Sequence, residues 1–168
     1  CLVGSEMCIL DSMLNRDDIG IYRAIPNTPV AIGKGVTFVC TNDSNPSTFD
    51  IIKGILEPLG AVHIVDEDHL DAAMAVSSCG VAYILRYIRA TMEGGIQLGL
   101  KSDQALQWAA ETIAGTAAML LESNEHPEAA IDRVTTPGGL TIRGLNAMEA
   151  NGFSNAVIQG LLASLPNK

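Results

Sequence analysis

The sequence predicts the end of an α/β sheet domain followed by an all-α region, so that the chain as a whole is mostly helical. β-Branched and aromatic runs, flanked by Gly, Pro and Asn as strands usually are, occur only in the first 66 residues. From Asp66 onward the apolar residues follow helical spacing instead. We therefore expect two domains, residues 1–66 and residues 67–168.

The first domain should run helix, strand, strand, helix, strand. In its first helix, Ile9, Met13 and Leu14 share one helical face. Pro46 opens the second helix and Gly60 closes it. The five segments, in chain order, are ILDSMLNR (9–16), IGIYRAI (19–25), GVTFVCT (35–41), NPSTFDIIKGILEPLG (45–60) and AVHIVDE (61–67).

The second domain should consist of five helices. Ser102 is a suitable N-cap for the second of them, Pro127 suits the first turn of the third, and Gly152 is placed to end the fourth. Small residues at 77–82 inside the first helix indicate close packing against another backbone. The predicted helices span about 67–95, 103–123, a short stretch after His126, 140–150 and 154–165.

Composition limits the classes of partner. The chain has 168 residues, of which 48% are hydrophobic and 17% charged, with a formal net charge of −9. The sequence contains no cluster of Lys and Arg residues that could neutralise phosphates. This argues against nucleic acid and anionic membranes as partners. Helices that are apolar around most of their circumference need a core or an oligomer. We therefore expect a subunit interface in which the two long helices, at about 67–95 and 103–122, intertwine with those of a second copy.

Cysteine and histidine spacing argues against a metal site. The four cysteines and three histidines are scattered without C-x-x-C or similar spacing, so reduced thiols in the cytoplasm are the expectation. No apolar run is long enough to span a membrane, and the N-terminus lacks the layout of a signal peptide. Beginning at Cys1 with CLVG, the chain looks cut from something longer.

The segment TTPGGLTIRGLNAME (135–149) places a proline and two glycines directly before a helix. The first N–H groups of a helix lack partners within it, and the helix N-terminus favours negative charge. Gly138 and Gly139 leave these donors open, so a carboxylate or phosphate could bind there. A simple turn with a helix start signal is the alternative that local pattern favours.

Four segments in this order resemble the pyrroline-5-carboxylate reductase family. The most specific is VTTPGGLTIRGLNAMEANGF (134–153), which looks like the C-terminal signature of that family. The others are RAIPNTPVAIGKG (23–35), LDAAMAVSSCGVAYILRYIRATMEGGIQLGL (70–100) and MLLESNEHPEAAIDRV (119–134). The resemblance implies the end of a Rossmann-like domain followed by a helical dimerisation domain.

The family resemblance implies a reaction and a site. A hydride passes from NADPH or NADH to the C=N carbon of 1-pyrroline-5-carboxylate and gives L-proline, in a cytoplasmic homodimer or higher oligomer. Thr141 is then the catalytic residue, with its hydroxyl on the ring nitrogen. The substrate-binding residues are Thr136, Gly138, Gly139, Leu140 and Thr141, with the N–H groups of Leu140 and Thr141 on the carboxylate.

Three residues are implied on the cofactor side: Val3, Gly4 and Asn27. For Asn27 in PNTP, a turn-forming role is an equal alternative, and strand termination is the alternative for Val3 and Gly4. Tyr83 and Trp108 are assigned to packing.

The sequence also departs from the family pattern. Ser77-Ser78-Cys79-Gly80-Val81 stands where the family usually has Ser-Gly-Ser-Gly-Pro, and Leu140 replaces a small or hydroxyl residue. No G-x-G-x-x-G loop occurs, so we expect a C-terminal part of the enzyme that is inactive alone. Two other functions are possible: a non-catalytic helical dimerisation module, and a related imine or β-hydroxyacid reductase.

Overall fold

The computed structural model describes residues 7–14 and 19–165. The first part of the chain alternates helices and strands. Its elements are α1 (Met7–Leu14), β1 (Tyr22–Pro26), a 3-10 turn (Thr28–Ile32), β2 (Gly35–Thr41), α2 (Pro46–Leu56), a second 3-10 turn (Glu57–Leu59) and β3 (Gly60–Ile64). This order of helix, strand, strand, helix, strand confirms the predicted α/β class.

The three strands form one sheet in the order β1-β2-β3. β1 pairs antiparallel with β2, from Tyr22 opposite Thr41 onward. β2 pairs parallel with β3, from Gly35 opposite Gly60. A parallel neighbour requires a crossover connection, which α2 supplies. Asn45 starts α2 because its side chain accepts a hydrogen bond from the Ser47 N–H at 3.1 Å.

The rest of the chain is helical. Its elements are α3 (Glu67–Met74), a π-helical segment (Ala75–Cys79), α4 (Gly80–Gln97), α5 (Ser102–Ser123), α6 (Pro127–Arg133), α7 (Leu140–Ala150) and α8 (Phe153–Ala163). We call Ala75–Cys79 the π segment. The predicted long helix therefore exists, but it changes its hydrogen-bond pattern for five residues and ends two residues later than expected.

Two predicted details of the helix ends are corrected. Lys101 occupies the N-cap position of α5 and Ser102 is its first helical residue, so Ser102 is not the cap. Asn151 is the C-cap of α7, and Gly152 follows it with a φ of 79°, a left-handed conformation that favours glycine.

The chain divides into two compact units. The described residues of the first unit are 7–14, 19–82 and 161–165, and the second unit is Tyr83–Gly160. In the first unit, four buried side chains form a cluster, namely Met7, Ile21, Cys40 and Leu70. The predicted apolar face of α1 is not the face that packs into this cluster, because Ile9, Met13 and Leu14 are all exposed.

The second unit contains little buried side-chain area. Its buried residues are Met92, Ala105 and Ala109. Tyr83 packs as expected, and its hydroxyl donates to the Gly160 carbonyl at 3.0 Å. Trp108 is 49% exposed in the chain and so does not pack in this core. Much of the apolar surface of these helices is therefore left open to solvent or to a partner.

Candidate active site

The segment that leads into α7 has the geometry of an open helix start. α6 ends at Arg133, and the Gly139 N–H donates to the Thr136 carbonyl at 2.9 Å. Gly138 has a φ of 69°, so the tight turn requires a left-handed residue there. Gly139 is the N-cap of α7 and places no side chain over the helix end.

The first donors of α7 are free. Among the residues that the structure describes, the N–H groups of Leu140 and Thr141 have no hydrogen-bond partner. Both side chains are exposed, Leu140 to 80%. These N–H groups and the partial positive charge of the helix end can receive an anion.

The threonine hydroxyls around this point differ in availability. Thr135 Oγ1 donates to the Ile131 carbonyl at 2.7 Å and so completes the C-terminus of α6. Thr136 is exposed, and a Cβ added at Gly139 would overlap its Oγ1. The Thr136 hydroxyl therefore lies directly beside the bare N-cap of α7. The structure thus brings together Thr136, Gly138, Gly139, Leu140 and Thr141.

A positive side chain also lies at the start of α7. Arg143 Nε donates to the Gly139 carbonyl at 3.3 Å, which brings the guanidinium within one turn of the N-cap. The sequence analysis did not select Arg143. Its spacing of four residues from the N-cap could have identified it, because residues at i and i+4 lie on one helix face.

The residues predicted on the cofactor side are far from residues 135–141 in the sequence. Val3 and Gly4 lie outside the described residues. Asn27 belongs to the first compact unit and is 9% exposed. Its Oδ1 accepts from the Val36 N–H at 2.8 Å, and its Nδ2 donates to the Ser77 carbonyl at 3.3 Å. Protein backbone thus occupies both ends of the side-chain amide.

The π segment carries two hydroxyls that stand out. Ser77 Oγ and Ser78 Oγ are buried atoms without a hydrogen-bond partner in the described part of the chain. Buried hydroxyls are normally paired, because leaving one unpaired costs about 1–3 kcal/mol. The sequence analysis assigned this stretch to packing, and spacing alone offers no signal for the change to π geometry.

Two cavities occur elsewhere. An apolar groove of about 750 Å³ lies between α4 and α5 and includes Leu98, Trp108, Ile113 and Leu120 in its lining. A polar cavity of about 630 Å³ lies beside Asp43. Residues 135–141 line neither of these two cavities.

In the part of the chain that the structure describes, three groups have shifted pKa values, and none belongs to residues 135–141. Burial raises the pKa of the Cys40 thiol. The pKa of Asp43 is lowered, first by the hydrogen bond from the Asn45 N–H and then by that from the Tyr22 hydroxyl. Burial and the contact with Asp43 raise the pKa of Tyr22. The candidate site therefore depends on fixed donors, whereas these titrating groups lie elsewhere.

The described residues contain neither a cluster of metal-ligating side chains nor a membrane-spanning helix. In residues 7–14 and 19–165, no three His, Cys, Asp or Glu side chains come together as a possible metal site. No helix in the same ranges combines the length and the apolar character that crossing a bilayer requires.

Comparison with known proteins identifies one family. A family model described as pyrroline-5-carboxylate reductase dimerisation matches residues 67–167. Pyrroline-5-carboxylate reductase 1 of Dictyostelium discoideum is 38% identical over 159 residues, which cover 88% of this chain and 29% of that protein. The pyrroline-5-carboxylate reductase of Synechocystis sp. is 38% identical over 148 residues, which cover 88% of this chain and 55% of that protein.

Solved structures have the same fold. A pyrroline-5-carboxylate reductase from Coxiella burnetii matches 95% of this chain and 59% of its own, with a TM-score of 0.88 and 28% identity. The Plasmodium falciparum pyrroline carboxylate reductase with NADP bound matches 94% of this chain and 62% of its own, with a TM-score of 0.85 and 28% identity. The chain thus spans less than two thirds of each of these proteins. On the match over residues 67–167 and this shared fold, the chain belongs to the pyrroline-5-carboxylate reductase family.

Proposed function

We propose that the protein to which this chain belongs reduces 1-pyrroline-5-carboxylate to L-proline with NADPH or NADH. The observation that carries the proposal is the open N-terminus of α7, where two glycines leave the N–H groups of Leu140 and Thr141 free. The names of the relatives and the NADP in the Plasmodium falciparum structure support the reaction and the cofactor class.

The substrate carboxylate binds at the start of α7. The N–H groups of Leu140 and Thr141 donate to its oxygens, and the Thr136 hydroxyl adds a third donor. The helix dipole and the nearby Arg143 guanidinium favour a negative charge at this point. Gly138 and Gly139 keep the approach clear of side chains. These five residues between positions 136 and 141 therefore orient a planar anion against the helix end.

Thr141 acts on the reacting nitrogen. Its exposed hydroxyl lies in the same first turn as the carboxylate donors. Reduction of the C=N carbon brings electron density to the ring nitrogen. A hydrogen bond from the Thr141 hydroxyl would stabilise that density, and solvent would supply the proton that completes the amine. Because the carboxylate is fixed by the N–H groups of Leu140 and of Thr141 itself, the ring nitrogen is held within reach of the Thr141 hydroxyl.

The described residues do not fit the pyrophosphate of a dinucleotide. Among them, no glycine-rich loop joins the end of a strand to the start of a helix, and the Asn27 amide is occupied by backbone. The nicotinamide cofactor supplies the hydride when it is bound, and we assign no step to it here. We expect the isolated chain to show negligible affinity for NADPH and NADH in titration calorimetry.

We propose a homodimer as the working form. The groove between α4 and α5 is apolar, and several large apolar side chains nearby are strongly exposed, including Leu98 (87%) and Leu121 (85%). Soluble monomers rarely leave such surface open. The match to a dimerisation family model supports a second copy as its partner.

A cytoplasmic location is part of the proposal. Cys40 and Cys79 are free thiols, as expected in a reducing compartment.

Replacing Thr141 by Ala in the full-length protein tests the site. Loss of one donor to the reacting nitrogen should lower kcat for pyrroline-5-carboxylate by roughly 10- to 1000-fold. The matched control is Ser47→Ala, which removes a hydroxyl from the second residue of α2 and should leave steady-state kinetics unchanged. Unchanged kinetics in a folded Thr141→Ala dimer would refute the role of Thr141.

A second candidate function is a non-catalytic dimerisation module. It is favoured by one observation, namely that the large apolar groove is formed without any residue of the candidate site. The two functions differ in the wild-type full-length protein. If that protein forms a dimer but reduces no pyrroline-5-carboxylate with either nicotinamide cofactor, the reductase proposal is wrong and the module remains.

A further inference from the structure

The Asn27 side chain connects two backbone segments that are far apart in sequence. Its Oδ1 accepts from the Val36 N–H in β2 at 2.8 Å, and its Nδ2 donates to the Ser77 carbonyl at 3.3 Å. Its own backbone N–H donates to the Val36 carbonyl at 3.1 Å. Asn27 is 9% exposed, so the bridge is shielded from water. We call these two side-chain bonds the Asn27 bridge.

The bridge ends on the π segment. In this segment the Gly80 N–H bonds to the Ala75 carbonyl, five residues back, instead of four. π-Helical turns are rare and widen the helix, so they usually depend on contacts outside the helix. The Ser77 carbonyl receives such a contact from Asn27. Ala75, the first residue of the segment, and Gly80, which follows its last residue, are both buried.

Local turn formation does not explain this arrangement. Asn27 is the N-cap of the 3-10 turn Thr28–Ile32, but its side chain makes no capping hydrogen bond. The amide oxygen and the amide nitrogen of Asn27 each bond to backbone instead, one to β2 and the other to the π segment. The side chain is instead placed to hold the π segment against the sheet.

We propose that Asn27 is a positioning residue that holds the π segment in place and thereby fixes the hydroxyls of Ser77 and Ser78. Its consequence for catalysis rests on the proposed reductase function. The two hydroxyls lack partners in the described residues, and their positions follow the backbone that the bridge fixes. The reaction should therefore depend on Asn27 through turnover and not through affinity for the dinucleotide.

The test uses Asn27→Asp in the full-length protein. Aspartate keeps the acceptor for the Val36 N–H but places an oxygen, without the amide N–H, opposite the Ser77 carbonyl. The matched control is Asn45→Asp, where only the side-chain oxygen is used, as acceptor from the Ser47 N–H. If Asn27→Asp does not fold, the test uses Asn27→Ser instead. The serine side chain is too short to reach the Ser77 carbonyl.

Two measurements besides activity follow the π segment. Amide hydrogen exchange of residues 75–80 and alkylation of the Cys79 thiol, located by peptide mass spectrometry, should both become roughly tenfold faster in Asn27→Asp. Both rates should stay within about twofold of wild type in Asn45→Asp. In the same samples, kcat should fall roughly tenfold while KM for the dinucleotide changes less than about twofold.

Each contrary result would overturn one defined part of the proposal. Unchanged exchange and alkylation in the variant would show that Asn27 does not hold the π segment. Faster exchange with unchanged kcat would reduce Asn27 to a purely structural role. A raised KM for the dinucleotide with unchanged exchange would identify a cofactor ligand. Absence of activity in the wild type would refute the proposed reductase function, while exchange would still decide whether the bridge holds the segment.

Discussion

At residue 139, the absence of a side chain has two effects. It leaves the first donors of α7 open, and it makes room for the Thr136 hydroxyl. A Cβ at this position would overlap Thr136 Oγ1 and lie 3.0 Å from the Thr136 carbonyl oxygen. A methyl group therefore changes both the approach of a ligand and the position of one proposed donor.

Replacing Gly139 by Ala should weaken substrate binding. Displacement of the Thr136 hydroxyl and crowding of the carboxylate should remove a hydrogen bond to a charged group, which raises KM for pyrroline-5-carboxylate roughly 10- to 100-fold. Steady-state kinetics of the full-length enzyme measures this change.

Gly144→Ala is the control, since a Cβ there meets nothing within 4 Å. It should leave KM unchanged and stabilise α7 by about 1 kcal/mol. An equal rise in KM in both variants would mean that altered helix stability, and not the N-cap, determines binding.

Individual residues show where the sequence was sufficient. Gly138 and Gly139 were predicted as an open helix start, and the structure places them at a left-handed turn and an N-cap. Ser102 was wrongly predicted as an N-cap, because Ser is favourable both as a cap and as the first helical residue. The bonds of Asn27 depend on Ser77, 50 residues later, and local pattern cannot show such a pairing.

Among the elements, the strands and most helix limits follow from local chemistry. Proline, glycine, helical apolar spacing and runs of β-branched or aromatic residues identify them within a few residues. The π segment does not follow, since its five residues have the same small, helix-compatible character as a regular close-packed helix. Its geometry depends on tertiary contacts, and hydrophobic spacing reports only which face is apolar.

The parallel pair β2–β3 depends on two glycines at its first register position, Gly35 opposite Gly60. A Cβ at Gly60 would overlap the Gly35 carbonyl oxygen and lie 2.6 Å from the Gly35 nitrogen. Gly60 also has a φ of 134°, which side chains rarely adopt. The entry into β3 is thus set by the close approach of two backbones.

Gly60→Ala should therefore lower the free energy of unfolding by about 2–5 kcal/mol, from backbone strain and overlap together. Urea denaturation followed by circular dichroism measures the loss. The control is Gly54→Ala in α2, where a Cβ meets nothing within 4 Å and should stabilise by about 0.5–1 kcal/mol. A Gly60→Ala protein as stable as wild type would contradict this account of the register.

At the scale of the whole molecule, the composition of the chain and the exposure of its side chains both indicate a subunit interface. The chain is 48% hydrophobic and 17% charged, yet few side chains of its second unit are buried. The sequence analysis inferred a subunit interface from this excess. It assigned that interface to the two long helices at about 67–95 and 103–122, and the fold shows which of their apolar residues line a groove between α4 and α5.

Ala117→Glu should disrupt the proposed dimer. Ala117 lines the groove, where a partner would bury the new carboxylate without a counter-charge, so the dimer dissociation constant should rise by roughly 100-fold or more. Analytical ultracentrifugation across a concentration series measures the change.

Ala118→Glu is the matched control. Ala118 follows Glu111 by two helical turns, on the side where Glu111 accepts from Gln107 at 2.8 Å. It should leave the dimer intact. A wild-type protein that stays monomeric at micromolar concentration would contradict the dimer itself.

The position of Trp108 gives this assembly its own optical signal. It is the single tryptophan of the chain, it lies in the groove and it is half exposed there. An indole ring that passes from water into an apolar contact emits at shorter wavelength. The emission maximum of the unlabelled chain should therefore move to the blue as concentration rises, and the same titration should move it less in Ala117→Glu. Dilution alone would then make dissociation of the subunits visible in a cuvette, without a dye or a tag.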